Sequence, residues 1–237
     1  MTILPHAAAP AKRGHGGQAH RAGRDESGPR PASRVLPAGR REDCSGPWGG
    51  HPHGMDTGRP SVHGPCVAAD VHYLGPGGAR AAAVVAADAA FSRVVAERTV
   101  VVAEVAGYRP GEFYQRELPP LRAVLHEVAG LGLLVVDGYA DLDPGGRPGL
   151  GAHAHREFAV PVIGVAKSAF RTATHAIPVL RGTSARPVFV TAAGMPRAEA
   201  AELVRRMAGR FRIPDALRRA DQLARTGAPA AIRGATD

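Results

Sequence analysis

Three carboxylates stand where carboxylates are costly. Asp70 follows the apolar run Val67-Ala68-Ala69 and precedes Val71, and Asp137 closes Leu133-Leu134-Val135-Val136 and is followed by Gly138. An ionised carboxylate left unpaired in such surroundings is strongly disfavoured. Glu117 lies just before an apolar-periodic stretch, where an acid also suits the positive end of a helix. Singly, each has a plain alternative as a cap or a surface charge, and for Glu117 that alternative is the simpler one. Together they define a chemistry. Like charges gathered at strand ends raise one another's pKa unless a cation sits between them. A hard divalent cation fits: Mg2+ takes one or two carboxylates together with substrate phosphates. Two such ions can activate water and stabilise the leaving oxygen in phosphodiester cleavage.

A lysine adds to this set. Of the 30 basic residues only Lys12 and Lys167 are lysines, so a surface charge that could drift would be expected as Arg. Lys167 ends the run Pro161-Val162-Ile163-Gly164-Val165-Ala166. A compact ammonium reaches a phosphate as a point charge where a planar guanidinium would clash. His153 is a further candidate ligand, with His155 beside it; solvated histidines on a short helix are the plainer reading. Gly75-Pro76-Gly77-Gly78 lacks the Gly-Lys-Ser/Thr of a phosphate loop.

Elements that would carry these residues can be read from the pattern. Cys66 to Val71 predicts a buried strand leading through the Gly-Pro turn into a hairpin. Strands are expected at Arg80–Asp88 and Thr99–Val105, then a loop at Gly107-Tyr108-Arg109-Pro110-Gly111. Leu121, Val124, Leu125 and Val128 recur at helical spacing, with Pro119 and Pro120 suited to the first turn. Strands follow at 133–136, 162–165 and 188–190, with a short helix after the Gly-rich loop 143–151. Ala200, Leu203, Val204, Met207 and Phe211 form a second helical stripe, and a last Arg-bearing helix follows Pro214. Three strands and then alternating helices and strands predict an α/β fold, a mixed sheet with an antiparallel edge and helices on its faces.

Ahead of this domain (66–237), Met1 to about Pro65 reads as a disordered Gly/Pro/Arg/His-rich arm, with too little apolar surface to offset the entropy of ordering. The net charge of +9 points to a polyanionic partner, nucleic acid ahead of membrane. Cys44 and Cys66 form neither a disulfide framework nor a CxxC site, so a reduced, cytoplasmic setting is expected. No apolar stretch approaches the ~18 residues of a membrane span.

The residues resemble a known family, endonuclease V, in six pieces that keep the family's order. Val67-Ala68-Ala69-Asp70-Val71-His72-Tyr73 resembles its first strand with a metal-binding Asp. Tyr108-Arg109-Pro110-Gly111 followed by Arg116-Glu117-Leu118-Pro119 resembles its wedge loop and second acid. Val136-Asp137-Gly138 resembles the third acid, Gly149-Leu150-Gly151-Ala152-His153 the helix start after it, and Pro161 to Lys167 the strand ending in an active-site lysine. Arg212-Ile213-Pro214-Asp215 with Arg219-Ala220-Asp221 resembles the C-terminal signature.

The resemblance implies a ribonuclease H-like fold and a Mg2+- or Mn2+-dependent endonuclease. It would cut DNA, or RNA, one nucleotide 3′ of a deaminated adenine (inosine). Asp70, Glu117 and Asp137 would hold the metal, Lys167 would meet the phosphate, and Tyr108, Arg109 and Pro110 would form a strand-parting wedge in a monomeric protein. Three departures stand out. Asp143-Pro144-Gly145 replaces the family's usual His-Pro-Arg, leaving Asp143 as a candidate ligand; Gly194-Met195 replaces Gly-His; and the segment Ser168–Pro187 is short. Asp143 and Met195 favour an alternative, a nuclease fold that binds nucleic acid without cutting it; the intact acids and Lys167 oppose it.

Overall fold

The computed structural model describes residues 62–227 apart from Pro76, Tyr108 and Pro110. The expected arm, as far as residue 61, lies outside them, as do two of the three wedge residues. The chain is already engaged before Cys66: Val62 packs on the core, and the Pro65 carbonyl accepts hydrogen bonds from Gly132 N (2.8 Å) and Leu133 N (3.4 Å).

The first strand, β1 (Cys66–Tyr73), explains the shape of the sheet. Cys66 and Ala68 enter the core on one face and Val67 and Ala69 on the other. A strand covered on both sides needs consecutive apolar residues, and that is the run the sequence carries. A tight turn, with Leu74 N donating to Gly78 O at 2.9 Å, leads into antiparallel β2 (Ala79–Ala86) and then β3 (Val94–Val102). The third strand thus starts five residues earlier than expected. Its first half carries Glu97 and Arg98 on a sheet edge, and charge there reads as loop in a sequence.

The remaining elements are α1 (Tyr114–Leu125), β4 (Leu133–Asp137), α2 (Leu150–Phe158), β5 (Val162–Ala166), β6 (Ile177–Val179), β7 (Val188–Ala193), α3 (Arg197–Arg206) and α4 (Asp215–Thr226). The seven-stranded sheet runs β3-β2-β1-β4-β5-β7-β6, with β1, β4 and β5 mutually parallel and the other pairings antiparallel. Helices α1 and α2 cover one face, α3 and α4 the other. This is the mixed, helix-flanked sheet the pattern predicts. β6 was not anticipated; with only three residues and Pro178 at its centre, it is tolerable only at an edge.

Two helix boundaries depart from expectation. α1 begins at Tyr114, so Pro119 and Pro120 lie inside it. Having no N–H, they leave the carbonyls of Gln115 and Arg116 without their usual i+4 donors. This early start places Glu117 within the first turn, buried at 5% exposure. α3 ends at Arg206, and Gly209 at φ +109° turns the chain away, so Phe211 lies beyond the helix and is exposed.

α4 is tied to the opposite edge of the sheet. Arg219 grips both carboxylate oxygens of Glu97 at 2.7 Å, and Arg80 donates to the last-turn carbonyls of Ala224 (3.2 Å) and Arg225 (2.9 Å). Among the described residues no helix is long and apolar enough to cross a membrane.

Candidate active site

Strand register brings the acids together. Ala69 pairs with Val136, which sets Asp70 beside Asp137 one position on, and Asp137 pairs with Val165. On β1, β4 and β5 alternate residues (66 and 68; 133 and 135; 163 and 165) enter the α3/α4 core. Counting on by two, Asp70, Asp137 and Lys167 all take that face. Glu117 comes from α1 on the other face and reaches between the strand ends; with Asp70 and Asp137 it lines one small cleft walled by Ala69, Val136 and Leu150.

The backbone at the end of β4 is built for this approach. Gly138 sits at φ +140°, where other residues are strained. A Cβ on Gly164 would lie 2.5 Å from Ala140 N and 2.7 Å from Gly138 O, so only glycine lets the loop after Asp137 cross β5. Ala140 N then donates to the buried Thr191 Oγ1 at 2.7 Å.

A fourth acid joins the cluster from α4. Asp221 accepts a hydrogen bond from the Asp70 carboxyl, feels the Lys167 charge, and pairs with Arg225 at 2.9 Å. It shares a cleft of about 590 Å3 with Asp137 and Lys167. The sequence reading placed Asp221 in a signature but gave it no role. Its signal was its position one turn after Leu217 and three residues before Ala224, on the border of an apolar stripe.

Electrostatics set this cluster apart. Burial, and then the Asp137 charge, raise the Asp70 carboxyl to about 7. Burial likewise raises Glu117 to about 7, against the hydrogen bond donated by Tyr73, whose own phenol is pushed up by burial and by that bond. The Arg116 guanidinium stacks 3.9 Å from the Tyr73 ring centroid. Burial would lower Lys167, but its hydrogen bond to Asp137 and the charges of Asp137, Asp70 and Asp221 hold it above its ordinary value. For Asp221 burial is outweighed by Arg225, Lys167 and Asp70, and its carboxyl stays low.

Four acids against this one lysine are the donor set of a hard dication. The side chains are not drawn into a cage, however. Tyr73 holds Glu117 and Lys167 holds Asp137, and among the described residues no group of three or more His, Cys, Asp or Glu is arranged to hold a metal.

The other candidates fall elsewhere. Asp143 is occupied within its own loop, accepting from Arg147 N (3.1 Å) and pairing with the Arg147 guanidinium at 3.3 Å. His153 stacks on Tyr114 with ring centroids 3.5 Å apart and links α2 to α1; burial and nearby Arg156 lower its pKa. His155 Nδ1 lies 2.7 Å from Val160 O. Arg109 is exposed and pairs with Glu112 at 3.7 Å, while Tyr108 and Pro110 lie outside the described residues. Met195 follows β7, whose Ala193 pairs with Val162 at the start of β5, so it sits at the end of the sheet opposite Asp137. The loops after β4 and β5 are stitched together near the acids: Tyr139 OH donates to Ser168 O (2.7 Å) and accepts from Phe170 N (2.9 Å). Exposed Phe170 leans on the Tyr139 ring at 5.9 Å.

The endonuclease V family model matches residues 59–181. An endonuclease V from Streptomyces coelicolor is 35% identical over 204 residues, covering 76% of this chain and 84% of that protein. The crystal structure of endonuclease V from Streptomyces avermitilis superposes with a TM-score of 0.59 at 34% identity, over 72% of this chain and 83% of that one. That of endonuclease V from Ciona intestinalis, in complex with a 23mer DNA containing an inosine followed by a ribo-adenosine, shares the fold at 20% identity (TM-score 0.59; 69% and 84% covered).

Proposed function

Because this chain belongs to the endonuclease V family, we propose that it is a metal-dependent endonuclease that cuts a phosphodiester bond near inosine in DNA, with RNA as a second substrate class, in nucleic-acid repair. The observation that carries the reading is the meeting of Asp70, Glu117, Asp137, Asp221 and Lys167, from β1, α1, β4, α4 and the end of β5, at one end of the parallel strands. The inosine-containing DNA bound by the Ciona protein supports the substrate assignment.

The residues divide the work. Asp70, Glu117, Asp137 and Asp221 supply oxygen donors for Mg2+ or Mn2+. When bound, the ion supplies charge stabilisation at the scissile phosphate and a more acidic water. Tyr73 and Lys167 hold Glu117 and Asp137 in place, and Lys167 offers its ammonium to a phosphate oxygen. Phe170 and Tyr139 present π faces to a base beside the acids. Extruding a base costs a few kcal/mol, less at a mispair, so the lesion itself favours capture. Tyr108, Arg109 and Pro110 part the strands, and the protein works as a monomer in the cytoplasm, where the buried thiol of Cys66 stays reduced.

The test uses purified full-length protein with inosine-containing single- and double-stranded DNA and RNA, in Mg2+, Mn2+ or chelator. A divalent-dependent cut near inosine, absent from adenine controls, is expected. Efficient cutting in excess chelator overturns the metal assignment. A second reading, a fold that binds without cutting, is favoured by the engagement of Glu117 with Tyr73 and of Asp137 with Lys167. Tight binding of inosine strands with no cut under any divalent ion would establish it.

A further inference from the structure

Phe211 is out of keeping with its sequence pattern. Its spacing fits the buried stripe of α3, yet it lies past Gly209 and is 44% exposed. Two guanidiniums flank its ring, Arg218 at 4.2 Å and Arg210 at 5.1 Å from the centroid. Arg210 has no ion pair among the described residues, whereas Arg218 also contacts Asp215 at 3.2 Å. A third guanidinium, Arg212, donates to Pro187 O at 2.8 Å and to the carbonyl of Lys167, tying this patch to the active-site lysine.

The patch continues the active site. Phe211, Arg210 and Arg212 line a depression of about 380 Å3 that shares Ile213 and Arg218 with the cleft of Asp137, Lys167 and Asp221. An exposed aromatic ring among guanidiniums, one of them without an ion pair among the described residues, has a definite complement. Bases stack on the ring whatever their identity, and backbone phosphates meet the guanidiniums. A protein partner would satisfy the ring but not a surplus of positive charge that runs into a phosphodiester site.

We propose that Phe211, Arg210 and Arg218 form a docking surface for the nucleic-acid strand on one side of the cleavage site, holding flanking nucleotides by stacking and phosphate contact. This rests on the nuclease reading above. The surface sets strand register and adds affinity without taking part in chemistry. Strand length should therefore matter on that side only.

The experiment measures binding of full-length protein, in chelator to prevent cutting, to labelled single-stranded inosine DNA and to RNA of the same sequence. Each is made short, extended on one side, or extended on the other. Wild type should gain roughly tenfold in affinity from one extension. Phe211→Ala should lose most of that gain, and Arg210→Ala should flatten the salt dependence by about one phosphate contact. Both variants should melt like wild type, since both side chains are exposed, and should cut the short substrate normally in Mg2+. DNA and RNA responding alike would show that the shared base and phosphate chemistry is what is read; a response from one alone would show which strand the surface receives. If both variants keep the full gain, or lose it equally for extensions on either side, the docking surface is overturned while the nuclease reading stands. If wild type neither binds nor cuts any inosine strand, the nuclease reading fails and the docking surface falls with it.

Discussion

Lys167 Nζ donates a hydrogen bond to Asp137 Oδ2 across the ends of two adjacent parallel strands. Burial opposes the charge on Lys167, but the surrounding acids outweigh it and the amine stays protonated at neutral pH. It is therefore no general base there. In the proposed reaction its service is electrostatic, as a point charge between the acids and an incoming phosphate.

The first prediction follows from that geometry. Lys167→Arg keeps the charge but not the shape, and should retain most strand binding while losing cleavage roughly 10²-fold or more, the scale of one transition-state contact. Lys167→Ala should lose cleavage and some affinity. Single-turnover rates beside binding isotherms check this; a Lys167→Arg enzyme cutting at the wild-type rate would show that any cation serves.

Asp70→Asn and Asp137→Asn should abolish Mg2+-dependent cleavage without unfolding the protein, since each removes charge but little volume. Circular dichroism and thermal melts establish the fold, and cleavage assays the loss. Full activity in either variant would remove that residue from the metal site.

The raised acids also predict how stability follows pH. Asp70 and Glu117 titrate near 4 in the unfolded chain but at about 7 when folded. Between those values the folded state holds protons that the unfolded state has released. Their contribution is therefore full below about 4, falls as pH rises towards 7, and is gone above it. For Asp70 the whole effect is at most about 4 kcal/mol, at ~1.4 kcal/mol per pKa unit. In chelator, the melting temperature of wild type relative to Asp70→Asn should fall between pH 5 and 7.5, and Mg2+ should restore much of it at the upper end. A flat difference across that range would mean that Asp70 is not buried as described.

Tyr73→Phe removes the donor that favours the ionised form of Glu117. The Glu117 carboxyl should then titrate higher still, and cleavage should need several-fold more Mg2+ and a more alkaline pH. Titrating Mg2+ at two pH values, by activity and by melting temperature, tests this; an unchanged requirement would make the contact incidental.

Met195→His should change nothing in cleavage or metal use. Met195 sits beyond the start of β5, at the end of the sheet away from Asp137, so a new imidazole could not reach the acids. A gain in rate would contradict that placement.

Much of this site was legible because burial and charge conflict openly in the sequence. Asp70 and Asp137 interrupt apolar runs, and the two-residue period of a strand puts them and Lys167 on one face without any coordinates. Glu117 was legible as an acid ahead of a helical stretch and through the family resemblance, but its burial was hidden by prolines that read as a helix start. Asp221 was harder, because its partners Asp70 and Lys167 are remote in sequence and a helix border position looks like ordinary surface. The early half of β3 was missed for a related reason: Glu97 looks like loop until Arg219 is brought across to meet it. Met195, which departs from the family's Gly-His, lies at the strand end away from the acids, and its local sequence does not show that.

The late position of α4 governs when the carboxylate cluster can close during synthesis of the chain. Asp70 leaves the ribosome early, whereas Asp221 and the Arg219 grip on Glu97 arrive with the last described helix. At 5–20 residues per second the interval between the two acids is roughly 8–30 s. For that time the nascent chain can pair its first strands but cannot complete the carboxylate cluster.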